Sequence, residues 1–155
     1  MQTDLVTIGT IHTPFASKAD TPIQGAFHPE NEGVVEVAPE YVEGLADIEG
    51  FSHLILLYAF DRAAAVQLRR QTFLGDEPHG LWATRHPARP NPVGLTVVRL
   101  LGRDGALLRV AGVDMLDETP LLDIKPYIPR FDSFPEASEG WLAHRPERPK
   151  PPGRE

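Results

Sequence analysis

The run Leu95-Thr-Val-Val-Arg-Leu-Leu101, then Gly102-Arg103-Asp104-Gly105, then Ala106-Leu-Leu-Arg-Val-Ala-Gly-Val-Asp-Met115 decides the class of fold. Two apolar runs flank a short Gly- and Asp-containing turn, which is the pattern of a β-hairpin. Further strands appear on either side of it. Leu5 to Thr13 reads as a first strand, with Val6, Ile8 and Ile11 apolar and Pro14 ending it. Residues 16 to 32 form a polar loop, and Gly33 to Val37 a second strand. Phe51 to Phe60 is apolar without alternation, which predicts a central strand. Leu81 to Thr84 and Leu121 to Lys125 complete the set, the latter stopped by Pro126. Helical stretches are few. Pro39 to Ile48 predicts a short helix or turn, with Tyr41, Leu45 and Ile48 at helical spacing. Arg62 to Phe73 fits a helix or a long mobile loop. Pro135 to Ala143 predicts a terminal helix with Trp141 and Leu142 on its buried side. Six to eight short strands with few helices predict a mainly β, antiparallel barrel or sandwich. No βαβ alternation and no Gly-rich loop after a strand is present, which argues against a Rossmann or P-loop nucleotide site.

The chain has 155 residues, which suits one domain, and 41% of them are hydrophobic, enough for a core. It contains no cysteine, so disulfides, zinc-thiolate sites and cysteine nucleophiles are excluded and a reducing cytosol is compatible. The start has no signal-peptide pattern, and the longest apolar run is too short to span a bilayer. A cytoplasmic protein without membrane attachment is therefore expected. The net charge of -7 and pI of about 5.3 argue against broad, non-specific binding to nucleic acid, and leave room for a local basic site. Twelve of the 15 basic residues are arginines, whose planar fork suits carboxylate, phosphate and base edges.

Immediately before the hairpin lies Trp82-Ala-Thr-Arg85-His-Pro-Ala-Arg89-Pro-Asn-Pro-Val-Gly94. Each proline fixes its own φ and drives the preceding residue toward an extended conformation. The segment is a stiff extended loop that holds Arg85 and Arg89 in set directions, so little entropy is lost when a ligand arrives. After the hairpin comes Asp114-Met-Leu-Asp117-Glu-Thr-Pro-Leu-Leu122-Asp123-Ile-Lys125-Pro-Tyr-Ile-Pro129. Asp123 and Lys125 are two apart and share a face on a strand. Facing a cavity, such a pair fixes a polar ligand; the plain alternative is a surface ion pair worth well under about 1 kcal/mol. The acidic spacing fits no calcium loop. His12, His28, His53, His79, His86 and His144 are scattered without metal-ligand spacing, and no serine has nucleophile-elbow context. No metal is expected.

Taken together, Ile8-Gly-Thr-Ile-His-Thr-Pro-Phe15, Pro22-Ile23-Gln24, Gly50-Phe-Ser-His-Leu54, Ala83-Thr-Arg-His-Pro-Ala-Arg-Pro-Asn-Pro-Val-Gly-Leu95 and Leu122-Asp-Ile-Lys-Pro-Tyr-Ile-Pro129 resemble the TsaA-like, or TrmO, family. The resemblance runs from the start of the chain to Pro129. It implies a single antiparallel β-barrel over residues 1–144 followed by a Pro- and charge-rich tail, 145–155. It implies S-adenosylmethionine as methyl donor and a homodimer with the cofactor near the subunit interface. The family reaction is methylation of N6 in threonylcarbamoyl-adenosine beside the anticodon of threonine tRNA. Carried over by motif, the cofactor site comprises Pro22, Ile23, Gln24, Asp61, Arg62, Arg85, Leu95, Leu122, Asp123, Ile124 and Lys125.

Three positions depart from the family pattern. Ile23 stands where arginine is common, Asp61-Arg62 where His-Gln is common, and Glu118 where the turn usually has glycine. Glutamate there requires a negative φ or accepted strain. The chain is also expected to lack the extra C-terminal domain of longer bacterial members, and so to grip RNA with its core or its dimer. The roles expected are these. Arg85 holds the methionine carboxylate. Asp123 lies near the sulfonium. Asp117, or a backbone carbonyl, receives the N6 proton. Lys125, from the neighbouring subunit, meets the threonyl carboxylate, and Arg89 faces the RNA or braces its loop. Asp117, Asp123 and Lys125 are thus the candidate catalytic residues. Two rival readings are a barrel that binds a nucleoside-like ligand without chemistry, and a methyltransferase of a small metabolite.

Overall fold

The eight strands are β1 (Gly9–His12), β2 (Glu32–Val37), β3 (His53–Ala59), β4 (Arg69–Thr72), β5 (Gly75–Gly80), β6 (Val93–Asp104), β7 (Leu107–Ala111) and β8 (Thr119–Pro126). They are taken from a computed structural model that describes Met1 and residues 3–146. Six of them close into an antiparallel barrel in the order β1-β2-β7-β6-β3-β8, with β8 pairing back onto β1. Closure leaves these six strands without a free edge and decides between barrel and sandwich. The interior is filled by Ile11, Val35, Leu54, Leu56, Val98, Leu108, Val110 and Leu121, all essentially without solvent exposure. These residues alternate along their strands with outward-facing neighbours, as a barrel wall requires.

The predicted hairpin is β6–β7. Its turn is tighter than expected, because Asp104 pairs with Leu107 and only Gly105 and Ala106 form the loop. Gly105 has φ +59, the positive value that two-residue hairpin loops need at their first position. The long apolar strand is β3, hydrogen-bonded on both sides, to β6 and β8. It does alternate: Leu54, Leu56 and Tyr58 are buried, while Ile55 and Leu57 are half-buried on the outer wall. Leu95 and Val97 of β6, exposed and paired with Leu57 and Ile55, continue that apolar outer stripe.

β8 carries a bulge. Leu57 pairs with Asp123, yet the next residue, Tyr58, pairs with Leu121, leaving Leu122 as the extra residue. A two-residue repeat would put Asp123 inside with Leu121. The bulge shifts the phase, so that Leu121 is buried and Asp123 faces solvent.

Four expectations are corrected. The first strand begins at Gly9 rather than Leu5, because Leu5 and Val6 lie exposed and outside the ladder. The stretch 62–73 is not a helix: its end forms β4, paired with β5 in a two-stranded sheet outside the barrel. Leu81–Ala83 is a 3-10 turn rather than a strand, whereas Pro39–Leu45 is the short helix expected there, in 3-10 form. Residues 135–143 hold only the 3-10 turn Gly140–Leu142, since Gly140 at φ +57 interrupts any continuous helix. The α-helical turn is instead α1 (Pro129–Asp132), started by a proline at its first position. Most of the expected tail, residues 147–155, lies outside the described residues. Among those described, no helix is long and apolar enough to cross a membrane.

Candidate functional site at the barrel mouth

The strand directions gather three connections at one end of the barrel. These are residues 13–31 after β1, 60–92 between β3 and β6, and 112–118 between β7 and β8. Pro22, Ile23, Gln24, Asp61, Arg62, Arg85, Arg89 and Asp117 all belong to this mouth.

Gln24 and Arg85, 61 residues apart, meet there, Arg85 donating from one guanidinium nitrogen to Gln24 Oε1 at 3.0 Å. Arg85 is exposed, so its other donors remain open to an incoming anion. The proline segment that carries it is braced by Arg89, which donates to the carbonyls of Thr84 at 2.9 Å and His86 at 3.2 Å and lies 5.5 Å from the centre of the Trp82 ring. Of the two roles expected for Arg89, these contacts are the brace. His86 Nδ1 accepts from the Ala88 N–H. Burial first, then Arg70, Lys18 and Arg89, push the His86 pKa down to about 4, so it is neutral and able to accept.

The Gln24 loop is fixed to the barrel by Asp114, a residue that the sequence did not single out. Asp114 Oδ2 accepts from the Gly25 N–H at 2.8 Å. Its Oδ1 accepts from the Thr96 hydroxyl, and the single Tyr58 hydroxyl proton has two acceptors in reach, Thr96 Oγ1 at 2.8 Å and Asp114 Oδ1 at 3.3 Å. Burial raises the Asp114 pKa above the ordinary 3.8 despite these donors, and burial first, then the Asp114 charge, raises that of Tyr58. Gly25 is required for the approach: a Cβ there would lie 1.9 Å from the Gly112 carbonyl oxygen.

On the other side of the mouth, Arg62 donates to the Asp117 carbonyl at 2.7 Å and pairs with Asp61 at 3.2 Å. Asp117 Oδ1 accepts from the backbone N–H groups of Thr13 and Glu118. It braces the junction of β1 and β8, which leaves only Oδ2 for any proton transfer. Glu118 sits at φ +61, so the departure from glycine is accommodated as strain rather than by a negative φ. Non-glycine residues in this region cost about 1 kcal/mol. Glu118→Gly is accordingly expected to raise stability by about 1 kcal/mol, read as a higher urea midpoint with unchanged slope. A lower midpoint would show that Glu118 makes compensating contacts.

The second group of expected residues lies elsewhere. Leu95, Leu122, Asp123 and Lys125 belong to the outer wall of β6 and β8, whereas Ile124 packs against the core. Asp123 and Lys125 pair with each other at 2.9 Å with both side chains more than two-fifths exposed, which is the surface ion pair of the plain alternative. Among the described residues, no hydrogen bond or ion pair links them to Arg85. Leu57 pairs on one side with Leu95 and on the other with Asp123, so these three form one lateral row. At 3.3 Å per residue it runs only about 7 Å below Ala59 at the mouth. Mouth and wall are adjoining surfaces, not opposite ones. Asp123 also borders a half-open pocket of about 410 Å³ lined by Ile8, Val37, Tyr41, Leu45, Ile48 and Phe51.

A closed six-stranded antiparallel barrel with a proline-braced arginine over its mouth defines a non-Rossmann β-barrel protein. Residues 10–133 match the family described as the tRNA-methyltransferase O N-terminal domain, and the chain belongs to this TrmO family. A relative from Pyrococcus abyssi, named a probable S-adenosyl-L-methionine-binding protein, is 51% identical over 95% of this chain and 82% of its own length. The tRNA (adenine(37)-N6)-methyltransferase of Escherichia coli is 31% identical over 90% of this chain and 63% of its own. A crystal structure of TrmO from Pseudomonas aeruginosa superposes with a TM-score of 0.77 and 36% identity, covering 91% of this chain and 63% of that one. The chain thus spans under two thirds of the length of these last two.

Proposed function

We infer that this chain binds S-adenosylmethionine and transfers its methyl group to N6 of an adenosine in tRNA. The observation that carries the reading is the Gln24–Arg85 contact, because it unites two separate family motifs at one mouth. In its finer form the acceptor is threonylcarbamoyl-adenosine of threonine tRNA, and the enzyme is a cytoplasmic homodimer.

The residues present suit the donor. Arg85 has open guanidinium donors for its amino-acid carboxylate. Asp61 and Asp123 supply negative charge for a cation, and Leu95 and Leu57 supply apolar surface for a base. When bound, S-adenosylmethionine supplies a methyl group on a sulfonium that departs as a neutral thioether. The protein's work is alignment, with little need for a covalent intermediate. Pro22, Ile23 and Gln24 are held by the Asp114–Gly25 anchor. Asp61 and Arg62 are held by the Asp117 brace. Asp117 Oδ2, which no backbone N–H occupies, is the carboxylate oxygen we assign to take the N6 proton.

The apolar wall supports the homodimer reading. Ile55, Leu57, Leu95 and Val97 form an apolar stripe that gains from cover. A second copy lying on it brings its own mouth, or its Lys125, beside the Leu95–Asp123 row. Asp123→Asn is expected to leave stability within about 0.5 kcal/mol, since its ion pair is exposed. Turnover is expected to fall at least about tenfold, the usual scale of one lost charge contact. Near-normal turnover removes Asp123 from the site.

The decisive experiment is incubation with radiolabelled S-adenosylmethionine and total tRNA, followed by nucleoside analysis. Label in N6-methylated threonylcarbamoyl-adenosine is the expected result. Donor binding without transfer makes the chain a binding module, and label in small molecules alone makes it a metabolite methyltransferase.

A further inference from the structure

Segment 62–92 differs in charge from the rest of the chain. It holds Arg62, Arg69, Arg70, Arg85 and Arg89 against Asp76 and Glu77, a net +3 within a protein of net -7. The fold gathers this charge. Arg70 of β4 pairs with His79 of β5, and His79 stacks on Trp141 with ring centres 4.0 Å apart. Trp141 in turn donates from Nε1 to the Ala83 carbonyl at 2.7 Å, and the Leu81 N–H donates to the Leu68 carbonyl at 2.9 Å. The β4–β5 sheet is thereby clasped to the proline segment. His86 at the centre of that segment feels Arg70, Lys18 and Arg89 together.

Trp82 stands in the middle of this surface and is 69% exposed. Such exposure is unusual for the largest apolar side chain, and its two neighbours Leu81 and Ala83 are the anchored ones. The Arg89 guanidinium lies against the Trp82 ring, and is itself held by carbonyls of the same loop. The ring is therefore an exposed aromatic plate backed by one held guanidinium, three residues from Arg85.

We propose that Trp82, backed by Arg89, is the platform on which an unpaired base of the RNA substrate stacks, and that Arg69 and Arg70 guide the phosphate backbone to it. This rests on the tRNA reading above. A base must leave its stack to present N6 to a site at a barrel mouth, and single-stranded loops are held by aromatic stacking with surrounding cations. An overall acidic protein needs such a local positive face to hold a polyanion.

The test uses the full chain and a fluorescein-labelled anticodon stem–loop RNA, titrated at several salt concentrations. Trp82→Ala is expected to weaken RNA binding about tenfold, the scale of one lost stacking contact. Trp82→Phe retains a π-face and is expected to keep most of the affinity. Arg69→Ala with Arg70→Ala is expected to reduce the salt dependence by about one to two in log-log slope. Calorimetric affinity for S-adenosylmethionine and mass by light scattering stay unchanged in all variants. RNA affinity in Trp82→Ala equal to that of the unsubstituted chain overturns the platform while leaving the methyltransferase reading standing. A change of oligomeric mass in Trp82→Ala overturns it in favour of a protein interface. An unsubstituted chain that neither binds nor methylates RNA overturns both.

Discussion

Arg85→Ala is expected to weaken S-adenosylmethionine binding roughly 100-fold while leaving the fold intact. The argument is one of position and exposure. Arg85 is presented by a segment whose backbone is fixed by three prolines and by Arg89, and among the described residues its guanidinium hydrogen-bonds to Gln24. A charge-assisted, forked contact to a carboxylate is worth about 1.5–3 kcal/mol, which is one to two powers of ten in affinity. An exposed side chain contributes little to stability, so the urea midpoint is expected to move by under about 0.5 kcal/mol. Arg85→Lys keeps the charge and loses the fork, and is expected to fall between the two. Isothermal calorimetry with S-adenosylmethionine reads the outcome. Unchanged affinity in Arg85→Ala removes Arg85 from the donor site and with it the observation on which the function rests.

How much of this was legible in the sequence depends on the range of the signal. The β6–β7 hairpin was readable because its apolar runs and its Gly105 turn are local. β4 and β5 were not, because Arg69-Arg-Gln-Thr72 and Gly75-Asp-Glu-Pro-His-Gly80 have no apolar alternation. They pair because Trp141, some sixty residues on, stacks against His79 and reaches Ala83. Motif resemblance brought Gln24 and Arg85 to one list, and the structure brings them to 3.0 Å. The same resemblance put Asp123 beside them, yet Asp123 lies on the outer wall. Two-residue periodicity alone could not say which face it takes, because the Leu122 bulge resets the phase within β8. Phe51 to Phe60 read as central since both faces are apolar. One face is core, and the other is the outer stripe of Ile55 and Leu57. Asp114 carried no motif at all. Its meaning lies in partners 18, 56 and 89 residues away, a convergence that only the closed barrel creates.

That convergence makes Asp114 the residue whose loss is expected to cost the fold most. Asp114→Ala deletes one acceptor shared by three donors. The Tyr58 and Thr96 hydroxyls keep the one hydrogen bond between them, but the second hydroxyl proton and the Gly25 N–H, pressed against Gly112, are left without their acceptor. Buried donors left unpaired cost about 1–3 kcal/mol each, and the lost charged acceptor adds to this. A total near 3 kcal/mol is expected, which lowers the melting temperature of a domain this size by about 6–12 °C. Asp114→Asn behaves differently. Its amide turns so that the oxygen accepts from Gly25 and the NH₂ donates to the hydroxyls, which can act as acceptors. It is expected to stay within about 1 kcal/mol of the unsubstituted protein at neutral pH. The pair also separates packing from charge. Burial raises the Asp114 pKa in the folded state above its ordinary 3.8, so the fold binds more protons than the unfolded chain from pH 3.8 upward. Stability from this group therefore falls as pH rises through that window, and is recovered on acidification. His86 acts in the opposite sense, since its lowered pKa makes stability fall as pH drops below 6.5 toward about 4. The difference between the unsubstituted chain and Asp114→Asn cancels the histidine and isolates Asp114. Urea unfolding from pH 4 to 8 is expected to show Asp114→Asn gaining relative to the unsubstituted chain as pH rises. If Asp114→Ala instead leaves the stability unchanged at every pH, the Asp114 side chain is not the anchor of the Gln24 loop. The Gln24 loop is then held to the mouth through its contact with Arg85 of the proline segment.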